Sequence, residues 1–404
     1  MTEAYTIVHD AAEVVVGPGD EEALAVQGAG AVVVEDGRVA AVGSTDELTR
    51  SYPPENAAEA VDAAGKTVLP GFVDAHTHAV FAGDRADEFV ARLRGASYQA
   101  LLAAGGGIHR TVRAVRAADR ATLTANLCEA LDVMLAHGAT TVEVKSGYGL
   151  DAEAEVRLLK AIAAADERHP VDLVPTYLGA HAIPQGVERG AYVDEVVDEH
   201  LPAVAELATF CDVFCDVGAF TVAEAERILR AGLELGLEAK IHAEEFERLG
   251  GAQLAAELGA TSADHLLEAT ATDARALAEV GVVPVLLPAT ALTLGVDYAD
   301  AAMFTEAGSW PAVASDFNPN CPAPSMAFAL QLACHGMGMD PAVAVRGATA
   351  AAAAAVGRPE AGRLEPDAPG DLVVVDASTH EHVPYPLGVN PVEVVVKGGA
   401  VVHG

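Results

Sequence analysis

The sequence predicts an α/β fold: a (β/α)8 barrel of the TIM type, with a small β-sandwich domain formed from the N- and C-terminal segments. Three observations predict it. Through the middle of the chain, short apolar runs of strand length alternate with longer segments of helical period, as in parallel βα units. Both ends share a different, β-rich texture. The first strand also lacks a glycine-rich dinucleotide fingerprint behind it. GAGA at 28–31 and GGGI at 105–108 stand in the wrong context, which disfavours an open doubly wound sheet.

In chain order, the first 68 residues read YTIVH, AEVVVG and AVVVEDGRVAAVG, with Asp36-Gly37 between two apolar strands as a hairpin signal. Eight strand candidates follow at 71–75, 140–144, 172–176, 212–216, 239–242, 262–265, 283–287 and 313–316. Between them, 121–137 with Gly138 behind it and 151–165 carry apolar positions three and four apart, the pattern of amphipathic helices. GATAAAAAAVG at 347–357 reads as a tightly packed helix. From 367 the β-rich texture returns with DLVVVD and VEVVVKGGAVVHG. The expected division is 1–68 plus 367–404 as one composite domain and 69–366 as a catalytic barrel.

The chain has 404 residues, with 59 Asp and Glu against 24 Lys and Arg, a formal charge of −35. Such a chain repels a phosphate backbone, so no nucleic-acid partner is expected. Its 51% hydrophobic content sets it apart from a disordered acidic tail. An acidic surface stays soluble where salt screens self-repulsion, which points to a halophilic cytoplasm. Five scattered cysteines fit a reducing compartment. The N-terminus shows no signal-peptide pattern, and the long uncharged stretches at 280–296 and 317–339 are broken by prolines, so no membrane partner is expected.

In such barrels chemistry sits at the C-terminal ends of the strands. The first candidate strand ends in His76 and His78, the second reaches Lys145 and Tyr148, and the third reaches Tyr177 and His181. The fourth ends at Asp216, the fifth in His242 with Glu245 beyond, the sixth in Asp264 and His265, and the eighth in Asp316. Two-residue spacing on a strand turns His76 and His78 the same way. Together His76, His78, His242 and Asp316 offer three neutral nitrogens and one carboxylate, a metal-hydrolase composition for zinc or iron.

LPGFVDAHTHAVFAGDR at 69–85 resembles the opening of the amidohydrolase superfamily. VEVKSGYGL at 142–150, YLGAHAIP at 177–184, IHAEEF at 241–246, ADHL at 263–266 and SDFNPN at 315–320 resemble the imidazolonepropionases, nearly the whole length of the chain. That resemblance implies a (β/α)8 barrel beside a β-sandwich built from both ends, a homodimer, and one divalent or trivalent metal ion, zinc or iron. It implies the histidine-degradation intermediate 4-imidazolone-5-propanoate as small-molecule substrate. Position by position it implies His76, His78, His242 and Asp316 as metal ligands. The substrate contacts fall on Arg85, Tyr98, Tyr148, His181 and Asn318, and the acid/base residues on Glu245 and His265.

Opening that ring means adding water at the carbonyl carbon and breaking a ring C–N bond to give N-formimidoyl-L-glutamate. A bound metal makes a hydroxide nucleophile available near neutral pH. Asp316 or His265 takes the water's proton, and Glu245 helps protonate the leaving nitrogen. Arg85 suits the propanoate because its planar fork pairs with a carboxylate bidentately. Lys145, followed by SGYG, is expected to support a single-metal site and not to bridge two metals as a carbamate. A purine or pyrimidine deaminase is the alternative, disfavoured because a neutral base offers Arg85 nothing to clamp. The chain departs from the family after DFNP, where Asn320 and Cys321 replace Gly and Ser or Thr. Both are carried as contacts of that loop, and Cys321 also reads as a buried small residue.

Overall fold

The computed structural model describes residues 5–19, 23–95 and 105–404. Strands β1 (Tyr5–Gly17), β2 (Ala25–Glu35), β3 (Arg38–Ser44), β4 (Glu59–Asp62) and β5 (Thr67–Pro70) come from the N-terminal segment. β14 (Leu372–Val375), β15 (Val392–Lys397) and β16 (Ala400–His403) come from the C-terminal one. They form one mixed sheet in the order β16-β15-β14-β5-β1-β2-β3, with β4 also on β1. The long β1 makes this possible: Thr6–His9 pair with β4, and past a register shift Glu13 and Val14 pair with β5. Alternating valines of these strands, among them Val14, Val32, Val68 and Val374, share one apolar cluster with Leu364 and Ala368.

Gly71 separates the two sheets. A side chain there would meet Thr140 at 2.2 Å, so the chain passes between the layers only as glycine. The second sheet then follows as β6 (Phe72–Asp74), β7 (Ala139–Lys145), β8 (Asp172–Ala180), β9 (Phe210–Cys215), β10 (Glu238–Ala243), β11 (Ser262–His265), β12 (Val283–Leu286) and β13 (Ala312–Val313), all parallel and in chain order. Its edges meet beyond the last ladder residues. Thr77 bridges Phe317, the Asp316 N–H donates to the His76 carbonyl at 3.0 Å, and the His78 N–H donates to the Phe317 carbonyl at 2.9 Å. The barrel expected from the eight apolar runs is present, each strand within a few residues of its predicted place.

The intervening helices begin where the sequence supplies caps. Asp119 accepts from the Thr122 N–H ahead of Arg120–Ala136, Asp151 accepts from the Ala154 N–H ahead of Ala152–Asp166, and Thr221 with Glu224 closes a reciprocal cap on Val222–Glu234. Each cap satisfies N–H groups that a helix start leaves open. The alanine-rich run forms a π-turn, Gly347–Ala351, followed by a helical turn, Ala352–Ala355. Its small side chains pack on Val73, Val174, Phe210 and Val285. Among the described residues no helix is long and apolar enough to cross a membrane, and all five cysteines are free thiols.

Candidate active site

The strand ends bring His76, His78, His242, His265 and Asp316 into one buried cluster. The rings of His76 and His242 stand 4.5 Å apart, those of His76 and His78 5.3 Å. One nitrogen from each of His76, His78 and His242 lies within 4.8 Å of the others. Asp316 Oδ1 sits 3.6 Å from His76 Nε2 and 3.5 Å from His78 Nε2. Both His76 Nε2 and Asp316 Oδ1 are buried without a hydrogen-bond partner. Buried polar atoms are costly when unpaired, and orphaned nitrogen and oxygen donors that converge fit a bound cation.

Three of these side chains, His76, His242 and Asp316, are steered from behind. His76 Nδ1 lies 2.6 Å from Asp264 Oδ2, and His242 Nδ1 lies 3.1 Å from Asp212 Oδ1. A carboxylate on the far nitrogen fixes ring orientation and leaves the other nitrogen for an ion. Asp316 Oδ2 accepts the Thr290 hydroxyl at 2.5 Å, which leaves Oδ1 facing the imidazoles. Asp316 and His265 hold positive φ, +50° and +76°, a conformation non-glycine residues adopt at a cost of about 1–3 kcal/mol. The surrounding contacts pay it where the side chains must turn inward.

Below the imidazoles is a charged layer. Lys145 Nζ lies 2.7 Å from Glu143, 2.8 Å from Asp212 and 3.6 Å from Asp264. Lys240 Nζ donates to the Ala355 carbonyl at 2.9 Å and stands 3.6 Å from Glu143. Burial opposes the charge on Lys145, yet Asp212, Glu143 and Asp264 raise its pKa above the ordinary lysine value. An ammonium so held stays protonated, and a carbamate forms only on the neutral amine. Burial pushes Asp212 up, but His242 and Lys145 bring it well below the usual carboxylate range. Burial drives His76, His78 and His265 well below the ordinary histidine value, so the rings are neutral and able to ligate.

Glu245 follows β10 on a loop pinned by Asp216, whose carboxylate accepts from the N–H groups of Glu245 at 2.7 Å, Phe246 at 2.9 Å and Glu247 at 3.2 Å. Its Oε1 lies 3.8 Å from His265 Nδ1. Burial first, then the charges of Asp316 and Asp216, raise the Glu245 carboxyl well above its ordinary value. That shift favours the protonated form of the carboxyl. Burial likewise raises Asp316, to about 6.

At the rim, His181 stacks on His78 with centroids 4.9 Å apart, its Nδ1 3.1 Å from the Gly147 carbonyl. Gly147 is at φ +101°, and a side chain there would come within 2.8 Å of the Leu178 carbonyl and 3.1 Å of His181 Nδ1. The ring of Tyr148 lies 5.3 Å from that of His181. Arg85 is buried, and its Nε and Nη2 donate to the Thr111 hydroxyl at 3.0 and 2.9 Å. No carboxylate pairs with it among the described residues, although Asp84 and Asp87 adjoin it in sequence. Tyr98 lies outside the described residues.

The loop after β13 is built on Asn318. Its side-chain oxygen accepts from the N–H groups of Asn320 and Cys321 at 2.7 and 3.1 Å, and its Nδ2 donates to the Asp316 carbonyl at 2.7 Å. Cys321 is wholly buried beside Ala289 and Leu332, and Asn320 is half-buried. Sequence reasoning passed over the supports: Asp212, Lys240, Thr111 and Thr290 lie outside the motifs, and Glu143 lies inside VEVKSGYGL without being singled out. For Asp212 and Glu143 the one signal is a charged residue inside an otherwise apolar strand, as in TFCDVFCDV and TTVEVK.

The profile of the Amidohydrolase family matches residues 67–402, and that of the Imidazolonepropionase-like composite domain, bacteria, matches 30–54. The chain is 58% identical to the Imidazolonepropionase of Halobacterium salinarum (strain ATCC 29341 / DSM 671 / R1), covering 100% of this chain and 99% of that one. It is 56% identical to the Imidazolonepropionase of Haloarcula marismortui, over 100% and 97%. With that of Symbiobacterium thermophilum it shares 48% over 92% and 90%. Among solved structures, a triazine hydrolase variant superposes with TM-score 0.78 at 16% identity, over 99% of this chain and 94% of that one. An adenosine deaminase from Xanthomonas campestris with bound zinc superposes with TM-score 0.75 at 20% identity, over 99% and 93%. These distant likenesses concern the fold, whereas the close ones extend from end to end: the chain belongs to the imidazolonepropionase family of the amidohydrolases.

Proposed function

We propose that this protein is a hydrolase that opens the ring of 4-imidazolone-5-propanoate to N-formimidoyl-L-glutamate. The observation that carries the proposal is the pairing of a histidine–aspartate cluster suited to a metal with a buried arginine that no carboxylate among the described residues neutralises. The relatives named above support it. A deaminase needs no such clamp.

His76, His78, His242 and Asp316 would hold one zinc or iron ion, which supplies Lewis acidity that polarises a carbonyl and makes a water acidic enough to attack near neutral pH. The chain's own residues do the rest. Arg85 holds the propanoate, with Tyr98, Tyr148, His181 and the loop of Asn318, Asn320 and Cys321 around the ring. Neutral His265 or Asp316 accepts the proton of the attacking water. Glu245, protonated before the reaction, gives its proton to the ring nitrogen as the C–N bond breaks. Its 3.8 Å separation from His265 supports return of the proton between turnovers. The proposed division is 1–68 plus 367–404 against 69–366, with β5 (Thr67–Pro70) running across the first boundary and the sheets changing at Gly71. A homodimer and a cytoplasmic, high-salt setting follow from the resemblance and the charge of −35.

The test is turnover of freshly prepared 4-imidazolone-5-propanoate in dilute and concentrated potassium chloride, following N-formimidoyl-L-glutamate, with ammonia release from cytosine and guanine as the contrast. Product formation that rises with salt is expected. Ammonia release without ring opening would replace the proposal with the deaminase.

A further inference from the structure

Against a charge of −35, residues 84–120 carry seven arginines and four acids, so this stretch is +3 while the remainder is −38. Its described parts, 84–95 and 105–120, include Arg85 and the helix that carries Thr111. The helix Ile108–Ala117 holds His109, Arg110, Arg113 and Arg116 and no acid. Its Thr111 carries Arg85, and its Arg116 donates to the carbonyls of Gly149 at 2.7 Å and Leu150 at 3.0 Å, just past Tyr148. Between this helix and the rim is a cavity of about 220 Å³ lined by His109, Arg113, Arg116, Leu150, Pro184 and Gln185. Arg110 pairs with Asp87, and Arg116 with Asp151 at 2.9 Å. Among the described residues Arg113 has no acidic partner, only the Gly105 carbonyl at 2.6 Å.

We propose that this cavity is a carboxylate docking subsite, where Arg113, with Arg116 and His109, captures an anionic substrate before it passes inward to Arg85. The inference rests on the function proposed above. Its physical need is plain, since a strongly negative protein repels an anion at long range, and a local positive field at the entrance restores the capture rate. Arg113 and Arg116 are exposed whereas Arg85 is buried, so the guanidinium groups are graded from solvent to site. Leu150 and Pro184 lie within three residues of Tyr148 and His181, so the cavity borders the two loops that carry those rim residues.

The test compares Arg113→Gln with Arg50→Gln, the same charge change on the remote helix Thr45–Ser51, at several potassium chloride concentrations at which all variants are folded. Arg113→Gln should lower kcat/KM about three- to tenfold with kcat at saturation retained, and the loss should shrink as salt rises. Arg113→Lys should restore most of it. A loss equal to that of Arg50→Gln, or one independent of salt, overturns the subsite. Calorimetric binding of glutarate provides an arm that needs no turnover. If ring opening fails but glutarate still binds more weakly to Arg113→Gln, the functional proposal falls and the anion site stands.

Discussion

The ammonium of Lys145 lies 2.8 Å from the carboxylate of Asp212, the same carboxylate that orients His242. One buried cation thus balances the group that aims a metal-type ligand. Lys145→Met leaves Glu143, Asp212 and Asp264 facing one another without their shared counter-charge. A loss of about 3–5 kcal/mol in unfolding free energy is expected, read from denaturant midpoints at fixed salt. A midpoint within error of the parent would show the layer to be energetically idle.

Asp264→Asn tests steering from behind. The amide keeps the shape but accepts more weakly from the His76 Nδ1 proton and does not fix the tautomer. Affinity for zinc should fall about 10- to 100-fold while the protein stays folded, checked by competition with a chelator and by circular dichroism. Unchanged affinity would mean that the 2.6 Å contact serves packing alone.

Arg85→Lys separates charge from shape. Lysine keeps the positive charge but loses the planar fork that Thr111 orients. A fall in kcat/KM of about 10- to 100-fold is expected, the worth of one or two charge-assisted hydrogen bonds. A lysine variant with parental kinetics would remove Arg85 from the propanoate.

The pair of Glu13 and His380, 2.8 Å apart, ties β1 to the C-terminal segment. Its hydrogen bond to Glu13 raises His380 above its ordinary 6.5, so that part of the stability is complete below 6.5 and is lost as pH rises through the folded value. Burial pushes Glu13 up, but His380 brings it below its ordinary 4.5, so its part is complete above 4.5 and is lost as pH falls through the lowered value. The melting temperature of the parent should exceed that of Glu13→Gln most between about pH 4.5 and 6.5. The gap should narrow on both sides, and a pH-independent gap would contradict the pairing.

The strands were legible because buried parallel strands read as short apolar runs whatever their neighbours. The exception is instructive. The run at 313–316 pairs as a ladder only at Ala312–Val313, because beyond it the backbone turns to positive φ at Asp316 and bonds to the first strand instead. The gathering of His76, His78, His242 and Asp316 was legible because each lies at or just past the end of a strand. Asp212 and Asp264 were not recognised as their supports, since contacts spanning 30 and 188 residues leave no local spacing. Asn318 reads from its motif as a substrate contact, while its amide bonds are made to its own loop, a use that only the folded turn reveals. The double pairing of β1 with β4 and β5 is likewise invisible in a run of alternating valines.

The barrel seam has a topological meaning. The peptide groups that join the first strand end to the last belong to His76, His78, Asp316 and Phe317, and three of those four residues also supply donors to the cluster. A chain whose ends have not yet met therefore owns no complete donor set, however well its middle has folded. An ion held by these residues would grip both sides of the join like a rivet, and slowed exchange of the His78 and Asp316 amide protons on metal addition would be its signature. The closed cylinder and the full set of converging donors are thus completed by the same backbone pairing.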